Sequence, residues 1–160
     1  MVYTGVVVGD DEEGKHFERQ TQCLAIGDGV DYEKSDVNPI IGADMLPDGA
    51  SKVDFRDPKI WKDENTFYVI VGNRNEDGSG QLLLYSSEDL KQWKYCGVVD
   101  KCENRYGKMW ECPDMFPLEG KYVILTSPQD MCAEGLEFHS GNGTLCLIGD
   151  FDKERDRKCD

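Results

Sequence analysis

Tyr85-Ser86-Ser87-Glu88-Asp89-Leu90-Lys91-Gln92-Trp93-Lys94 resembles an earlier stretch of the chain, Ala25-Ile26-Gly27-Asp28-Gly29-Val30-Asp31-Tyr32-Glu33-Lys34. Asp28 and Asp89 stand 61 residues apart, as do Tyr32 and Trp93. A fainter third copy, Leu147-Ile148-Gly149-Asp150-Phe151-Asp152, places Asp150 another 61 residues on. A second unit repeats beside the first. Phe55-Arg56-Asp57-Pro58-Lys59-Ile60-Trp61 aligns on its proline with Trp110-Glu111-Cys112-Pro113-Asp114-Met115-Phe116, and each runs through a turn into an apolar strand, 67–71 and 121–125. Elsewhere the pattern is short strands between turn clusters such as Glu13-Gly14, Asp48-Gly49, Asp77-Gly78 and Glu119-Gly120, with almost no helical periodicity. Strands are expected over 2–9, 17–26, 66–73, 81–86, 93–99, 121–127 and 143–148. The fold class is therefore all-β. Pattern alone leaves a sandwich and a propeller open; repeated all-β units of about 60 residues have the length of propeller blades. Residues 1–36 then close one blade, 37–100 form the next and 101–160 form most of a third, about two full blades plus part of another.

Composition narrows the partners. The 160 residues are 39% hydrophobic and 10% aromatic, enough for a folded core, and carry a net charge of −14. That charge argues against nucleic acid and anionic membrane surfaces as partners, because both need clustered Lys and Arg. A neutral sugar is compatible with that charge without being selected by it. The run Asp10-Asp11-Glu12-Glu13 ahead of Gly14 reads as an acidic hairpin tip, since the spacing of a calcium loop is missing. Seven cysteines without a C-x-x-C pair argue against a zinc site. Their odd count and irregular spacing suit buried free thiols in a reducing cytoplasm. No stretch is long enough to span a membrane, Met1-Val2-Tyr3-Thr4-Gly5 is no signal peptide, and no metal or cofactor is implied.

The first strand of each propeller blade lines the central channel, so Asp57 and Glu111, on the expected first strands of consecutive blades, should face one cavity. A pair of carboxylates there suits a glycosidase, which needs a proton donor and negative charge near an oxocarbenium-like transition state. The plainer alternative makes Arg56-Asp57-Pro58 a strand-entry turn with a local ion pair. Trp110 is either a stacking face for a sugar ring or part of the packing. Trp61, Trp93 and Tyr122 read as blade packing, His16 and His139 as loop residues without a catalytic role, and Lys153–Lys158 as a solvated segment.

Phe55-Arg56-Asp57-Pro58 followed by Trp110-Glu111-Cys112-Pro113, in that order, strongly resembles glycoside hydrolase family 32. Tyr3-Thr4-Gly5, Gln20-Thr21-Gln22-Cys23-Leu24-Ala25, Asn38-Pro39-Ile40, Ser86–Trp93 and Ser127-Pro128-Gln129 also fit, so the likeness covers nearly the whole chain. It implies a five-bladed propeller and retaining hydrolysis of β-fructofuranosides: sucrose, sucrose 6-phosphate or fructans. Glu111 matches the family's general acid/base, for which a raised pKa is required. Asp57 matches the transition-state stabiliser. Arg56 and Trp110 would help hold the sugar, and Cys112 either tunes Glu111 or simply packs. The family's nucleophile belongs to a W-M-N-D-P-N-G-like segment that has no match here, and Asn38-Pro39 and Asp114 are poor substitutes. The isolated chain is accordingly expected to be inactive, to be an interior piece of a longer catalytic domain, and to self-associate through uncovered blade faces carrying Val69, Val71, Leu83 and Val123. Two other readings are a propeller glycosidase acting on arabinose or xylose polymers, against which Trp-Glu-Cys-Pro argues, and a non-catalytic propeller binding module.

Overall fold

The computed structural model describes residues 1–152, and the segment Lys153–Lys158 lies outside the described residues. Among the described residues ten strands form three antiparallel sheets. The first holds β1 (Val2–Asp10), β2 (His16–Gly27) and β3 (Tyr32–Lys34). The second holds β4 (Ala50–Asp63), β5 (Thr66–Asn75), β6 (Gly80–Ser87) and β7 (Lys94–Lys101), and the third β8 (Met109–Leu118), β9 (Lys121–Gln129) and β10 (Leu145–Gly149). Within each sheet the spatial order follows the chain. A single turn of 3-10 helix, Ala43–Met45, lies between the first two sheets in sequence.

The middle sheet explains the stacking. Alternate side chains of a strand point to opposite faces, and here both faces are apolar. Val69, Val71, Leu83 and Tyr85 pack with Val2, Leu24, Ile40, Ile41 and Phe55 on the side of the first sheet. Ile70 and Leu82 pack with Trp110, Met115 and Ile124 on the side of the third. Successive blades of a propeller require this sandwiching of each sheet between its neighbours. Val69, Val71 and Leu83, expected on uncovered faces, are therefore buried, and Val123 on β9, expected there too, is also buried. Exposed apolar side chains on the strands include Val6, Val7 and Val8 on β1, Ile26 on β2, Val53 on β4, Val98 on β7, Leu118 on β8 and Ile148 on β10.

The 61-residue repeat has a physical basis. The Asp28 carboxylate accepts hydrogen bonds from the backbone N–H groups of Val30 and Asp31, both at 2.9 Å. Asp89 does the same with Lys91 and Gln92 at 2.9 and 2.8 Å. Asp28 thus builds an Asx turn between β2 and β3, and Asp89 one between β6 and β7. The amides of Asp31 and Gln92, followed by those of Val30 and Lys91, hold the two carboxyls below the usual carboxylate range. By this repeat β1–β3 correspond to β5–β7, and β8–β10 to β4–β6. Asp150 follows β10 at the equivalent place, and Phe151 next to it stands edge-on to Trp61, Tyr68 and Tyr122 at 5.2–6.4 Å between ring centres. Trp61 and Tyr122 are thereby part of the packing between the second and third sheets.

Some local expectations shift. Trp93 stands in the turn before β7, where its ring is buried and its Nε1 donates to Leu90 O at 2.9 Å. His16 opens β2 instead of lying in a loop. The thiols are less buried than their irregular spacing suggested. All six described cysteines are free, but only Cys102 is buried, whereas Cys112, Cys132 and Cys146 are exposed. Among the described residues no helix is long and apolar enough to cross a membrane.

Candidate functional site

β4 and β8 are the edge strands of their sheets, and they carry the same irregularity at the same place. On β4 the register runs from Arg56 opposite Gly72 to Lys59 opposite Ile70. On β8 it runs from Glu111 opposite Ser127 to Asp114 opposite Leu125. Asp57-Pro58 and Cys112-Pro113 are thus two residues set against one, a β-bulge, and proline suits that position because it brings no N–H to be paired. The first bulge residue is left-handed in both, with φ 61° at Asp57 and 48° at Cys112. The proline alignment made in the sequence is therefore an alignment of backbone geometry. It pairs Arg56 with Glu111 and Asp57 with Cys112, and these are the side chains that meet.

Arg56 Nε donates to Glu111 Oε1 at 2.8 Å, and Nη1 donates to Asp54 Oδ1 at 2.8 Å. Nη1 and Nη2 also reach Gln20 Oε1 and Gln129 Oε1, both at 3.4 Å. Burial opposes the Arg56 charge, but the hydrogen bonds and negative charges of Asp54 and Glu111 outweigh it and raise its pKa further. The second Glu111 oxygen accepts from Gln129 Nε2 at 2.7 Å. Arg56 and Glu111 side chains retain 19% and 23% exposure, so the pair stands at the edge of solvent instead of inside the core. Asp57 Oδ2 accepts from the Cys112 backbone N–H at 3.1 Å and from its Sγ at 3.6 Å. Burial first, then the Asp57 charge and hydrogen bond, push the Cys112 thiol up. Asp57 Oδ1 has no hydrogen-bond partner among the described residues, leaving an acceptor oxygen on a half-buried carboxylate.

Arg56, Asp57, Glu111 and Cys112 are brought together. Trp110 is not an open stacking face: it is 1% exposed, packed with Ile70 and Leu82, with Nε1 bound to Tyr106 O at 2.7 Å. Side chains alternate along β8, so Trp110 must point away from the face that Glu111 uses. Asn38 exchanges two hydrogen bonds with the Leu24 backbone at 2.7 and 2.9 Å, and Asp114 pairs with Lys59 at 2.8 Å; both are structural. Asp54 is the partner that none of the quoted stretches contains, whereas Gln20 and Gln129 stand in quoted stretches without an assigned role. Asp54 was legible in principle, since it lies two residues before Arg56 on one strand face. Gln129 arrives from β9, and only its pairing opposite Met109 brings it near Glu111. No group of three or more His, Cys, Asp or Glu among the described residues could hold a metal ion.

Residues 1–159 match the N-terminal domain of the glycosyl hydrolases family 32. The chain belongs to this family. It is 35% identical over 158 residues to sucrose-6-phosphate hydrolase of Bacillus subtilis strain 168, covering 95% of this chain and 31% of that protein. It is 31% identical over 152 residues to raffinose invertase of Escherichia coli, covering 94% and 30%. Among solved structures, the Bombyx mori GH32 beta-fructofuranosidase superposes with a TM-score of 0.83 at 38% identity, over 96% of this chain and 32% of that one. A variant of that silkworm protein has been solved in complex with sucrose. The chain thus spans about a third of the length of these family 32 relatives. Its all-β fold is part of the family's β-propeller.

Proposed function

We propose that these residues supply two of the carboxylates of a retaining β-fructofuranosidase site, Glu111 as acid/base and Asp57 as transition-state stabiliser. The observation that carries this reading is the shared bulge. It sets Arg56 against Glu111 and Asp57 against Cys112 on neighbouring edge strands, with one Asp57 oxygen left free. Glu111 would donate its proton to the glycosidic oxygen as the bond to the fructosyl carbon breaks, and would then take a proton from the water that releases fructose. Asp57 Oδ1 would accept from fructose hydroxyls, in hydrogen bonds that strengthen as positive charge develops. Arg56 remains on Asp54 while Glu111 changes protonation, so its charge stays compensated. The nucleophile is assigned to a carboxylate outside these 160 residues. The substrate is sucrose or its 6-phosphate, following the names of the relatives. The division into blades at 36 and 100 belongs to the same reading, as does a reducing cytoplasm, which suits six free thiols.

A chimera tests it. These residues would replace the matching segment of the B. subtilis sucrose-6-phosphate hydrolase, and sugar release would be followed on sucrose, sucrose 6-phosphate and inulin. Hydrolysis of at least one is expected; a folded chimera inert on all three overturns the reading.

The same reading includes self-association of the chain by itself. β1 is an edge strand with Val6, Val7 and Val8 exposed at 49–56%, and long apolar edges pair with other chains. The net charge of −14 opposes contact until salt screens it. Light scattering should give a mass above 18.1 kDa that rises with ionic strength; a monomer at every salt concentration excludes the association.

A further inference from the structure

The left-handed conformation of Asp57 has its own support, and it comes from the first sheet. Outside glycine that conformation is disfavoured, so it persists where neighbours over-determine it. Asp57 N–H donates to Thr4 Oγ1 at 3.1 Å, Thr4 Oγ1 donates to Gln22 Oε1 at 3.2 Å, and Gln22 Nε2 donates to Phe55 O at 2.8 Å. The polarity of this chain is forced. Gln22 spends its NH₂ on a carbonyl, so its oxygen must take the Thr4 proton, which leaves a Thr4 lone pair for the Asp57 amide. Gln22 is fully buried, and its backbone N–H and C=O are bound to Ile41 and Ile40, so it cannot swing away. Gln20, two residues earlier on the same face of β2, accepts from Phe55 N–H at 2.9 Å. The two glutamine amides give the open edge of β4 the pairing that a neighbouring strand would give. The third sheet repeats the device: the bulge N–H of Cys112 is held by a side-chain oxygen of the sheet before it, Asp57 Oδ2.

We propose that Thr4 and Gln22 are positioning residues that hold Asp57 in its left-handed bulge and thereby set where its carboxylate meets the sugar. This rests on the reading of Asp57 as stabiliser. Gln22 is too deeply buried for a clean test, so the test substitutes Thr4. In the chimera, Thr4→Val keeps the shape and removes the hydroxyl, while Thr4→Ser restores it. The expected result is a 10- to 100-fold fall in kcat for T4V with KM little changed, a modest fall in melting temperature as the buried Gln22 oxygen loses its donor, and recovery of both in T4S. Hydrogen exchange of the 55–57 amides, measured by mass spectrometry on the 160-residue chain, should speed up in T4V and return towards the parent rate in T4S. A T4V kcat within twofold of the parent overturns the proposal, as does a loss that T4S does not recover. If the parent chimera is inactive, the function reading fails and the exchange decides alone: unchanged protection of 55–57 in T4V rejects the positioning role.

Discussion

Glu111→Gln should lower kcat on sucrose by about 10²- to 10⁴-fold, because it removes a proton donor and almost no volume. The fold should tolerate the change. The new amide oxygen can still accept from Arg56 Nε, and Arg56 keeps its 2.8 Å bond to Asp54. The conflict falls on Gln129, whose Nε2 now donates to Glu111 Oε2 and would face another NH₂. Turning the Gln129 amide over resolves it, with loss of the long contact from Arg56 Nη2. KM should therefore move far less than kcat. Asp57→Asn is the informative companion. Asparagine tolerates the left-handed backbone at this position and can still accept from the Cys112 amide, so a fall in kcat there reads on the charge of the carboxylate. Steady-state kinetics of the chimera, beside its melting curve, separate these effects. A Glu111→Gln rate within threefold of the parent excludes Glu111 as the acid/base.

Gly72→Ala should destabilise the chain by about 3 kcal/mol or more, the upper range for overpacking. A Cβ on Gly72 would stand 2.1 Å from the carbonyl oxygen of Trp110 and 3.2 Å from the Met109 side chain. The first of these is backbone, which cannot rotate out of the way. Gly80 on β6 meets the same residue, with a Cβ 2.6 Å from the Trp110 ring. The second and third sheets touch through two missing side chains, and Gly72 lies directly opposite Arg56 in the register. Adding a methyl group would push β8 from β5 and stretch the Arg56–Glu111 pair along with the packing. Urea unfolding of the purified 160-residue chain measures the loss. An unchanged midpoint for G72A would mean that the sheets do not approach this closely.

The sequence by itself carried the sheet content, the repeat and the pair of motifs. Each of these is written locally. An Asx turn needs only an aspartate and the amides just after it, as at Asp28 and Asp89, and a strand declares itself by short-range alternation. The proline alignment of Arg56-Asp57-Pro58 with Glu111-Cys112-Pro113 was legible for the same reason, because a bulge is a property of two adjacent residues. What the alignment does in space was not. Two equivalent positions in successive sheets become neighbours only when the sheets stack, and stacking depends on Gly72 and Gly80 admitting Trp110, a contact between residues far apart in the chain. That contact also decides Trp110 itself. Its place beside Glu111 suggested a sugar platform, yet strand alternation turns it to the opposite side and the next sheet covers it. Thr4, Gln20 and Gln129 stand in stretches that fit the family, but their meeting with one another and with Asp54 was not legible, for a related reason. They come from four different strands, β1, β2, β9 and β4, and no spacing in the sequence encodes their meeting. The identity of the reacting groups is thus a matter of local sequence, whereas their positions, hydrogen-bond partners and exposure are set by the non-local packing of one sheet on the next.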